Sequence, residues 1–246
     1  MTDSGGINIG HAFNEQRYGA LKPAAQGVAG DDRIRLMLEL VRKHGAQGRK
    51  ILDVGCTDGF LSRFFKEMGL YVIGVDASTS AVETAKGVCD EAYVAELGTQ
   101  RLPLPDGSVD LVWAGEVIEH IFDTEFFVED LRRVMAPGGR LILSTPNLAA
   151  WLNRVSLILG QQPFFTEVGV RASNSGSFLR KVSQPAGHIR NFTPSSLRHL
   201  LTECGFTVES FHGASILLGK SVRGLDRLIG RTVPSLASDL VFVCMK

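Results

Sequence analysis

The sequence lacks several features that would assign it to a specialised class of protein. It has no charge excess, because 26 basic and 26 acidic residues give a formal net charge of +0 over 246 residues. That balance argues against a dedicated nucleic-acid-binding protein, which would usually carry a basic excess. Cysteine is also scarce, and the four cysteines show neither metal-ligand spacing nor a disulfide pattern. They are Cys56, Cys89, Cys204 and Cys244.

Long apolar segments are also missing. No apolar run reaches the roughly 18 residues that a membrane-spanning helix needs. The start of the chain, Met1 to Gly6, has neither the basic nor the apolar region of a signal peptide. We therefore predict a cytoplasmic protein without stable membrane insertion. The contents of 44% hydrophobic and 21% charged residues are ordinary globular values, and the length suffices for one large α/β domain.

The most informative segment of the chain alternates strand, turn, helix and strand. Ile51 to Val54 is a short apolar run, which is typical of a strand buried on both faces. Gly55 and Gly59 bracket a tight turn where a β-carbon would hinder a ligand lying on the backbone. Asp76 follows a second apolar run, Tyr71 to Val75, and a carboxylate at such a strand end can accept both hydroxyls of a ribose. The segment therefore predicts a unit that binds a nucleoside.

The composition of the turn indicates which kind of nucleoside. A dinucleotide-binding turn has the pattern Gly-x-Gly-x-x-Gly, which lets amides at the start of a helix approach a pyrophosphate. Counted from Gly55, that pattern needs glycine at Thr57 and at Phe60, and both positions carry other residues. Asp58 would add a negative charge near the phosphates. The turn therefore favours a cationic ligand over NAD, which would serve an oxidoreductase.

These residues resemble the class I S-adenosylmethionine-dependent methyltransferases, whose first motif is Asp/Glu-x-Gly-x-Gly-x-Gly. Asp53, Gly55 and Gly59 match that motif, and Thr57 replaces its middle glycine with a small polar residue. Later segments resemble, in the same order, further motifs of the ubiquinone-biosynthesis-like, small-molecule (methyltransferase type 11) branch of the family. These segments are Pro103 to Asp110, Trp113 to His120 and Pro137 to Asn147. Gly187 to Thr193 resembles a segment that is frequent in bacterial members acting on sugars, lipids or natural products.

The resemblance implies a fold and a domain organisation. We expect a single α/β methyltransferase domain over residues 1–246, with a Rossmann-like sheet of seven mostly parallel strands, helices on both faces and an antiparallel last strand. The alternation of strand and helix patterns along the chain agrees with that architecture. Two stretches with little periodicity should depart from it. Residues 1–30 are expected to be a flexible N-terminal segment, and residues 147–190 a lid or substrate-cover insertion.

The resemblance also implies the contacts to S-adenosylmethionine, with S-adenosylhomocysteine as the product. The turn after the first strand should lie under the methionine part, and the acid after the second strand should bind the ribose. Residues after the second and third strands should lie near the adenine, and a carbonyl at the end of the fourth strand should meet the ammonium group. The implied cofactor-binding residues are Asp53, Gly55, Cys56, Thr57, Gly59, Asp76, Ala77, Ser78, Glu96, Leu97, Gly115 and Glu116.

Two histidines are candidates for the catalytic base. Methyl transfer to a hydroxyl releases a proton, and histidine, with an ordinary pKa of about 6.5, can accept a proton near neutrality. His120 follows the fourth strand, at the edge where α/β sheets bind ligands, and His188 lies at the end of the lid segment. A structural role is the alternative for each. A divalent-metal site formed by Glu116, Glu119 and His120, completed by a ligand such as His188, is a further alternative, and no metal ligand is assigned.

The sequence thus predicts a methyltransferase for a small-molecule acceptor, and it favours transfer to a hydroxyl or carboxyl oxygen of a sugar, lipid, quinone or natural-product intermediate. N-methylation, methylation of RNA or protein, and a non-catalytic regulator that binds the cofactor remain alternatives. The neutral charge counts against RNA. The segment from Ala114 to Val117 also differs from the Asn/Asp-Pro-Pro-Tyr/Phe element of the amide- and adenine-methylating members.

Overall fold

The computed structural model describes residues 31–169, 187–215 and 220–246, without the side chains of residues 220–223. The predicted flexible segment, residues 1–30, lies outside the described residues, as do residues 170–186 of the predicted lid. Within the described ranges, seven strands alternate with seven α-helices. None of the helices in this part of the chain combines the length and the apolar character that crossing a bilayer would require.

The order of the elements confirms the predicted α/β class. The strands are β1 (Lys50–Val54), β2 (Tyr71–Asp76), β3 (Glu91–Val94), β4 (Val109–Gly115), β5 (Met135–Pro146), β6 (Thr207–Ala214) and β7 (Asp239–Met245). The helices are α1 (Asp32–His44), α2 (Ser62–Glu67), α3 (Thr79–Ala85), α4 (Thr124–Val134), α5 (Trp151–Ile158), α6 (Pro194–Glu203) and α7 (Lys220–Thr232). Two short 3₁₀ turns lie at Ile118–His120 and Pro234–Leu236.

All seven strands form one sheet in the order β3-β2-β1-β4-β5-β7-β6. The first five strands pair in parallel, and β7 pairs antiparallel with both β5 and β6. The sheet is therefore mostly parallel with an antiparallel last strand, as predicted. Val54 at the end of β1 pairs with Val75 of β2 and with Ala114 of β4, so the ends of these three strands lie side by side. The strand order reverses between β1 and β4, and open α/β sheets bind ligands at such a reversal.

Apolar layers cover both faces of the sheet. Successive side chains of a strand point to opposite faces, so Leu52 and Val54 of β1 enter one layer while Ile51 enters the other. The first layer includes Leu131 of α4 and Leu201 of α6, and the second layer includes residues of α1 and α2. Because a parallel sheet is normally covered on both sides, this burial explains why its strands are continuous apolar runs.

The start of β5 differs from the prediction. The sequence predicts that Pro137 to Gly139 form a turn between a helix and a strand that starts at Arg140. In the structure α4 ends at Val134, and Met135 already pairs with Val109 of β4. The register then shifts before the next pair, Arg140 with Leu111, and Gly138 adopts a positive φ of 76°. The Pro-Gly-Gly segment is therefore an irregularity inside the strand, which sequence signals for a turn do not distinguish from a true break.

The described part of the predicted lid is tied to the body of the domain. Asn147 is 1% exposed, and its side-chain amide donates to the carbonyls of Ser235, at 3.0 Å, and Ala237, at 2.8 Å. The indole of Trp151 on α5 donates to the carboxylate of Asp226 on α7 at 2.9 Å. These contacts fix the first helix of the segment against the C-terminal region of the chain.

Candidate functional site

A cavity of about 210 Å³ opens at the edge of the sheet where β1, β2 and β4 end. Eight of the twelve residues that the sequence predicts for cofactor binding line this cavity. His120, one of the two predicted catalytic histidines, also lines it. The complete lining of described residues is Gly55, Thr57, Asp76, Ala77, Glu96, Leu97, Gly115, Glu116, Val117, His120 and Ile121.

The glycine turn under the cavity has left-handed backbone at three positions. Gly55 and Gly59 have φ angles of 71° and 78°, and a β-carbon on Gly55 would lie 2.9 Å from the side chain of Val117. Thr57, with φ of 48°, is the residue that replaces the middle glycine of the motif. Such a conformation costs a residue other than glycine about 1–3 kcal/mol. The amide of Thr57 donates to the carboxylate of Asp76 at 2.9 Å, which helps to hold the turn.

Asp76 therefore shapes the turn as well as facing the cavity. Its other carboxylate oxygen accepts a hydrogen bond from the amide of Ser78 at 2.9 Å. A carboxylate oxygen has two lone pairs, so these backbone bonds still leave the group able to accept hydroxyl donors. The placement at the end of β2, on the wall of the cavity, agrees with the predicted ribose contact.

The charge of the cavity favours a cationic ligand. Asp76, Glu96 and Glu116 bring carboxylates to its lining, and no lysine or arginine is among the described lining residues. A pyrophosphate would meet like charge there, whereas a ligand with ammonium and sulfonium groups meets opposite charge. The acidic lining therefore fits S-adenosylmethionine better than a dinucleotide.

Four predicted cofactor residues lie beneath the cavity instead of in its described lining. Asp53 is 1% exposed and Cys56 is 3% exposed, and the thiol of Cys56 packs against Gly74 of β2. Gly59 closes the turn through a 2.9 Å hydrogen bond from its amide to the carbonyl of Cys56. Ser78 is the N-cap of α3. These residues support the lining, and their contacts to a cofactor remain predictions.

Asp53 is a buried acid whose carboxylate accepts a hydrogen bond from the hydroxyl of Ser62 at 2.6 Å. Burial is the main influence on its carboxyl group and raises the pKa to about 7, with a further contribution from the negative charge of Asp76. The Ser62 hydrogen bond opposes that shift. Asp53 thus orients the start of α2 from below the turn.

The structure brings the two predicted catalytic histidines together. The rings of His120 and His188 lie 5.0 Å apart between centroids. Nδ1 of His120 is 3.0 Å from the carbonyl of Gly187, and Nδ1 of His188 is 2.8 Å from the carbonyl of Phe165. Because a carbonyl only accepts, Nδ1 of each neutral ring carries the proton and Nε2 is the basic nitrogen. The carbonyls of Gly187 and Phe165, both within the predicted lid, therefore select the tautomer of the two rings.

Glu119 lies next to this pair and is also buried, with 1% exposure. Its Oε2 accepts from the hydroxyl of Thr145 at 3.0 Å, while Oε1 has no hydrogen-bond partner among the described residues and lies 3.9 Å from Nε2 of His188. Burial, followed by the charge of Glu116, raises the pKa of Glu119 well above its usual range. One atom each from Glu119, His120 and His188 lies within 4.8 Å of the others.

These distances change the set of residues that could form the metal site, which the sequence leaves open as an alternative. Carboxylate and imidazole groups are both ligands of divalent cations, and the group includes His188. Glu116 is not part of it, since its two oxygens accept from the hydroxyl of Ser144, at 2.9 Å, and from Arg33, at 2.8 Å. Among the described residues, Glu119, His120 and His188 are therefore the ones that could hold a metal ion.

Sequence reasoning missed three residues of this site. Val117 and Ile121 line the cavity, and Arg33 reaches Glu116 from α1. The sequence does contain a signal for Arg33. It lies four residues before Met37 and eight before Val41, both fully buried, so the helical period places a cation on the buried face of α1.

A second cavity, of about 430 Å³, lies between α1, the end of β6 and α7. It is larger, but it contains none of the predicted site residues, and it lies away from the ends of β1, β2 and β4. Two of its arginines, Arg35 and Arg227, form ion pairs with Asp32. The smaller, acidic cavity is therefore the candidate nucleoside site.

Comparison with known proteins agrees with this geometry. A family model described as a methyltransferase domain matches residues 52–143. A protein of Mycolicibacterium smegmatis described as a probable S-adenosylmethionine-dependent methyltransferase is 30% identical over 181 residues, and the match covers 70% of this chain and 59% of that protein. The ubiquinone biosynthesis O-methyltransferase of Cupriavidus pinatubonensis is 36% identical over 169 residues, covering 63% of this chain and 68% of that protein.

Solved structures show the same fold. The S-adenosylmethionine-dependent methyltransferase from Mesorhizobium loti superposes with a TM-score of 0.60 at 17% identity, covering 89% of this chain and all of that one. The matched motifs, the sheet order and the acidic cavity at its reversal point agree with one another. The chain belongs to the S-adenosylmethionine-dependent methyltransferases, and S-adenosylmethionine is the cofactor that this membership implies.

Proposed function

We propose that this protein transfers a methyl group to a hydroxyl or carboxyl oxygen of a small-molecule acceptor. The observation that carries the proposal is the pair of imidazoles, His120 and His188, beside the acidic nucleoside cavity. S-adenosylmethionine supplies the methyl group from its sulfonium. The relative from Cupriavidus pinatubonensis bears the name of an O-methyltransferase, which supports oxygen as the acceptor atom.

In this proposal different parts of the cavity wall bind different parts of the cofactor. Asp76 accepts the ribose hydroxyls, and Glu96 with Leu97 lies near the adenine. The backbone around Gly55 lies under the methionine part, and the carbonyl of Gly115 accepts from the ammonium group. All of these residues line one cavity, which supports their acting on one ligand.

The histidines would accept the proton of an acceptor hydroxyl. Nε2 is the basic nitrogen of each ring, because the carbonyls of Gly187 and Phe165 engage Nδ1. His120 lines the cavity and is therefore the nearer candidate. A positioned general base contributes roughly 10²–10⁴-fold to the rate of such a step.

The acceptor atom can be identified with radiolabelled cofactor. The protein is incubated with methyl-tritiated S-adenosylmethionine and separate panels of phenols, catechols, sugars, carboxylic acids and amines. We expect label to be transferred to members of the oxygen panels. Transfer confined to the amines would contradict the assignment to oxygen, and cofactor binding without transfer to any panel would favour the non-catalytic regulator.

The role of the histidines is tested with the acceptor that this panel identifies. His120→Ala or His188→Ala should lower turnover about 10²-fold or more, while the affinity for S-adenosylhomocysteine in calorimetry stays nearly unchanged. His199→Ala, on the exposed side of α6, is the matched control and should keep full turnover. If both site variants also keep full turnover, neither histidine is the base.

A metal-assisted form of the same transfer is the second candidate. It is favoured by the ligand atoms of Glu119, His120 and His188 lying within 4.8 Å of one another. A divalent cation held there would act as a Lewis acid toward the acceptor oxygen. Loss of turnover on chelation, with recovery on adding Mg²⁺, would select this form, and turnover that is indifferent to chelation would exclude it.

A further inference from the structure

We propose that Arg33 is a positioning residue of the cofactor cavity, which it serves by fixing the side chain of Glu116 in the cavity wall. Arg33 lies on α1, outside the segment that the methyltransferase family model matches, so no family motif assigns it a role. The inference rests on the proposed placement of the cofactor in the 210 Å³ cavity.

The guanidinium of Arg33 joins three carboxylates from separate parts of the chain. Its Nη1 lies 2.8 Å from Oε2 of Glu116, its Nη2 lies 3.2 Å from Oδ2 of Asp31, and its Nε lies 3.6 Å from Oδ2 of Asp239. The side chain of Arg33 is 16% exposed, and that of Asp239 is fully buried. Only a planar fork of donors can reach three acids in this way, so lysine is a poor replacement.

The charges of this cluster depend on Arg33. Burial alone would lower the pKa of Arg33, but the carboxylates of Glu116, Asp239 and Asp31 outweigh burial and raise it. Burial, followed by the charge of Glu116, raises the pKa of Asp239, while Arg33 opposes that increase. Without Arg33, the partly exposed Glu116 and the buried Asp239 would be neighbouring acids whose charges repel each other.

Glu116 needs this support because its backbone is strained. It follows the end of β4 with φ of 58°, a left-handed conformation that is unfavourable for a residue other than glycine. Its amide donates to the carbonyl of Ser144 at 3.1 Å, and its Oε1 accepts from the hydroxyl of the same serine at 2.9 Å. Arg33 pairs with Oε2 of Glu116, so both carboxylate oxygens of Glu116 are held in place. Both Glu116 and the adjacent Gly115 line the cavity, so a change in the Glu116 side chain would move the wall itself.

The test measures the binding of S-adenosylhomocysteine by calorimetry in an Asp239→Asn background, which removes the buried acid that loss of Arg33 would otherwise leave without its cationic neighbour. Adding Arg33→Met should raise the dissociation constant about tenfold or more, and Arg33→Lys should restore only part of the affinity. Arg42→Met, on the exposed side of the last turn of α1, is the matched control and should leave the affinity unchanged.

Thermal unfolding of each variant separates this role from a purely structural one. The inference would be overturned if the Arg33→Met variant unfolds at a lower temperature but its dissociation constant stays within twofold of that of the Asp239→Asn background. If Arg33→Met does not fold, Arg33→Lys in the same background decides, and a dissociation constant within twofold of that background would be equally contradictory. Failure of the proposed cofactor placement itself would be recognised separately, as an Asp76→Ala variant that binds S-adenosylhomocysteine like the native protein.

Discussion

Asp53 and Asp76 stand near the ends of adjacent strands, but their surroundings differ. Asp53 is sealed under the glycine turn and accepts its hydrogen bond from Ser62. Asp76 reaches the cavity and accepts hydrogen bonds from the amides of Thr57 and Ser78. The two acids therefore differ in what they can do, because the buried Asp53 can change the stability of the fold with pH, whereas Asp76 lines the cavity.

The buried Asp53 should make the stability of the ligand-free protein depend on pH. Its pKa is about 7 in the folded protein, compared with about 3.9 in an unfolded chain, so the folded state binds more protons between these values. The free energy of unfolding should therefore fall as pH rises from about 4 to about 7, by at most about 1.4 kcal/mol per pH unit for this group.

Urea unfolding at several pH values, with native protein and with Asp53→Asn, checks this dependence. The variant lacks the titrating group, so the stability of the native protein relative to the variant should decline over that pH range. Glu119 and Asp239 also have raised pKa values and add a dependence of the same sign, but it is common to both proteins and cancels in the difference. Parallel profiles would show that Asp53 does not titrate in this range.

Removal of the Asp76 carboxylate should weaken cofactor binding. Asp76→Ala leaves the ribose hydroxyls without their acceptor and also frees the amides of Thr57 and Ser78, so we expect a loss of about 1–3 kcal/mol or more in calorimetry with S-adenosylhomocysteine. Asp58→Ala is the control, because Asp58 is in the same turn but not in the described lining. Equal losses in the two variants would indicate a general charge effect instead of a ribose contact.

At the scale of elements, the connection after β5 depends on one buried amide. Asn147 satisfies the carbonyls of Ser235 and Ala237 with its amide nitrogen, and its side-chain oxygen accepts from the amide of Ala149 at 2.9 Å. The backbone carbonyl of Asn147 accepts a hydrogen bond from the side-chain amide of Asn153 on α5 at 2.9 Å. The side chain thus joins the start of the lid to the segment before β7.

Asn147→Ala should therefore destabilise the protein by about 1–3 kcal/mol, because it leaves buried polar groups of other residues without partners. Urea unfolding measures the change. Asn191→Ala, at an exposed position shortly before α6, is the control and should alter stability by less than about 0.5 kcal/mol. Similar losses in the two variants would mean that the Asn147 network contributes little.

The sequence predicts best those elements whose signals are local. Asp31 caps α1 by accepting from the amides of Arg33 and Ile34, and Thr193 caps α6 with Pro194 after it, so residue types that are common at helix starts mark both helices. The Pro-Gly-Gly segment is misleading because the same residues serve a turn or an irregular strand, and only the pairing of Met135 with Val109 decides between them.

The candidate site also combines residues that local sequence signals place with residues that only long-range packing brings together. Gly55 and Glu96 follow strand ends and Asp76 is the last residue of β2. Strand ends of a parallel sheet meet at one edge, so sequence alone can bring these residues together. The contact of His120 with His188 and the reach of Arg33 to Glu116 join residues far apart in the chain. No local pattern encodes these contacts, because they depend on how the lid segment and α1 pack on the completed sheet.

For the molecule as a whole, we expect one acidic cavity at the reversal of the sheet to bind S-adenosylmethionine. A NAD-binding site would instead use glycine amides and positive charge around a pyrophosphate, and the described lining offers carboxylates. The larger cavity between α1, β6 and α7 is the alternative binding site within the same protein. Its lining includes arginines such as Arg227 and Arg231, which offer the positive charge that the described lining of the smaller cavity lacks.

A crystal structure of the protein with S-adenosylhomocysteine tests this claim most directly. We predict density in the 210 Å³ cavity, with the ribose hydroxyls within hydrogen-bond distance of the Asp76 carboxylate and the sulfur on the side of His120. Density for the nucleoside in the 430 Å³ cavity, or a ribose without contact to Asp76, would contradict the account.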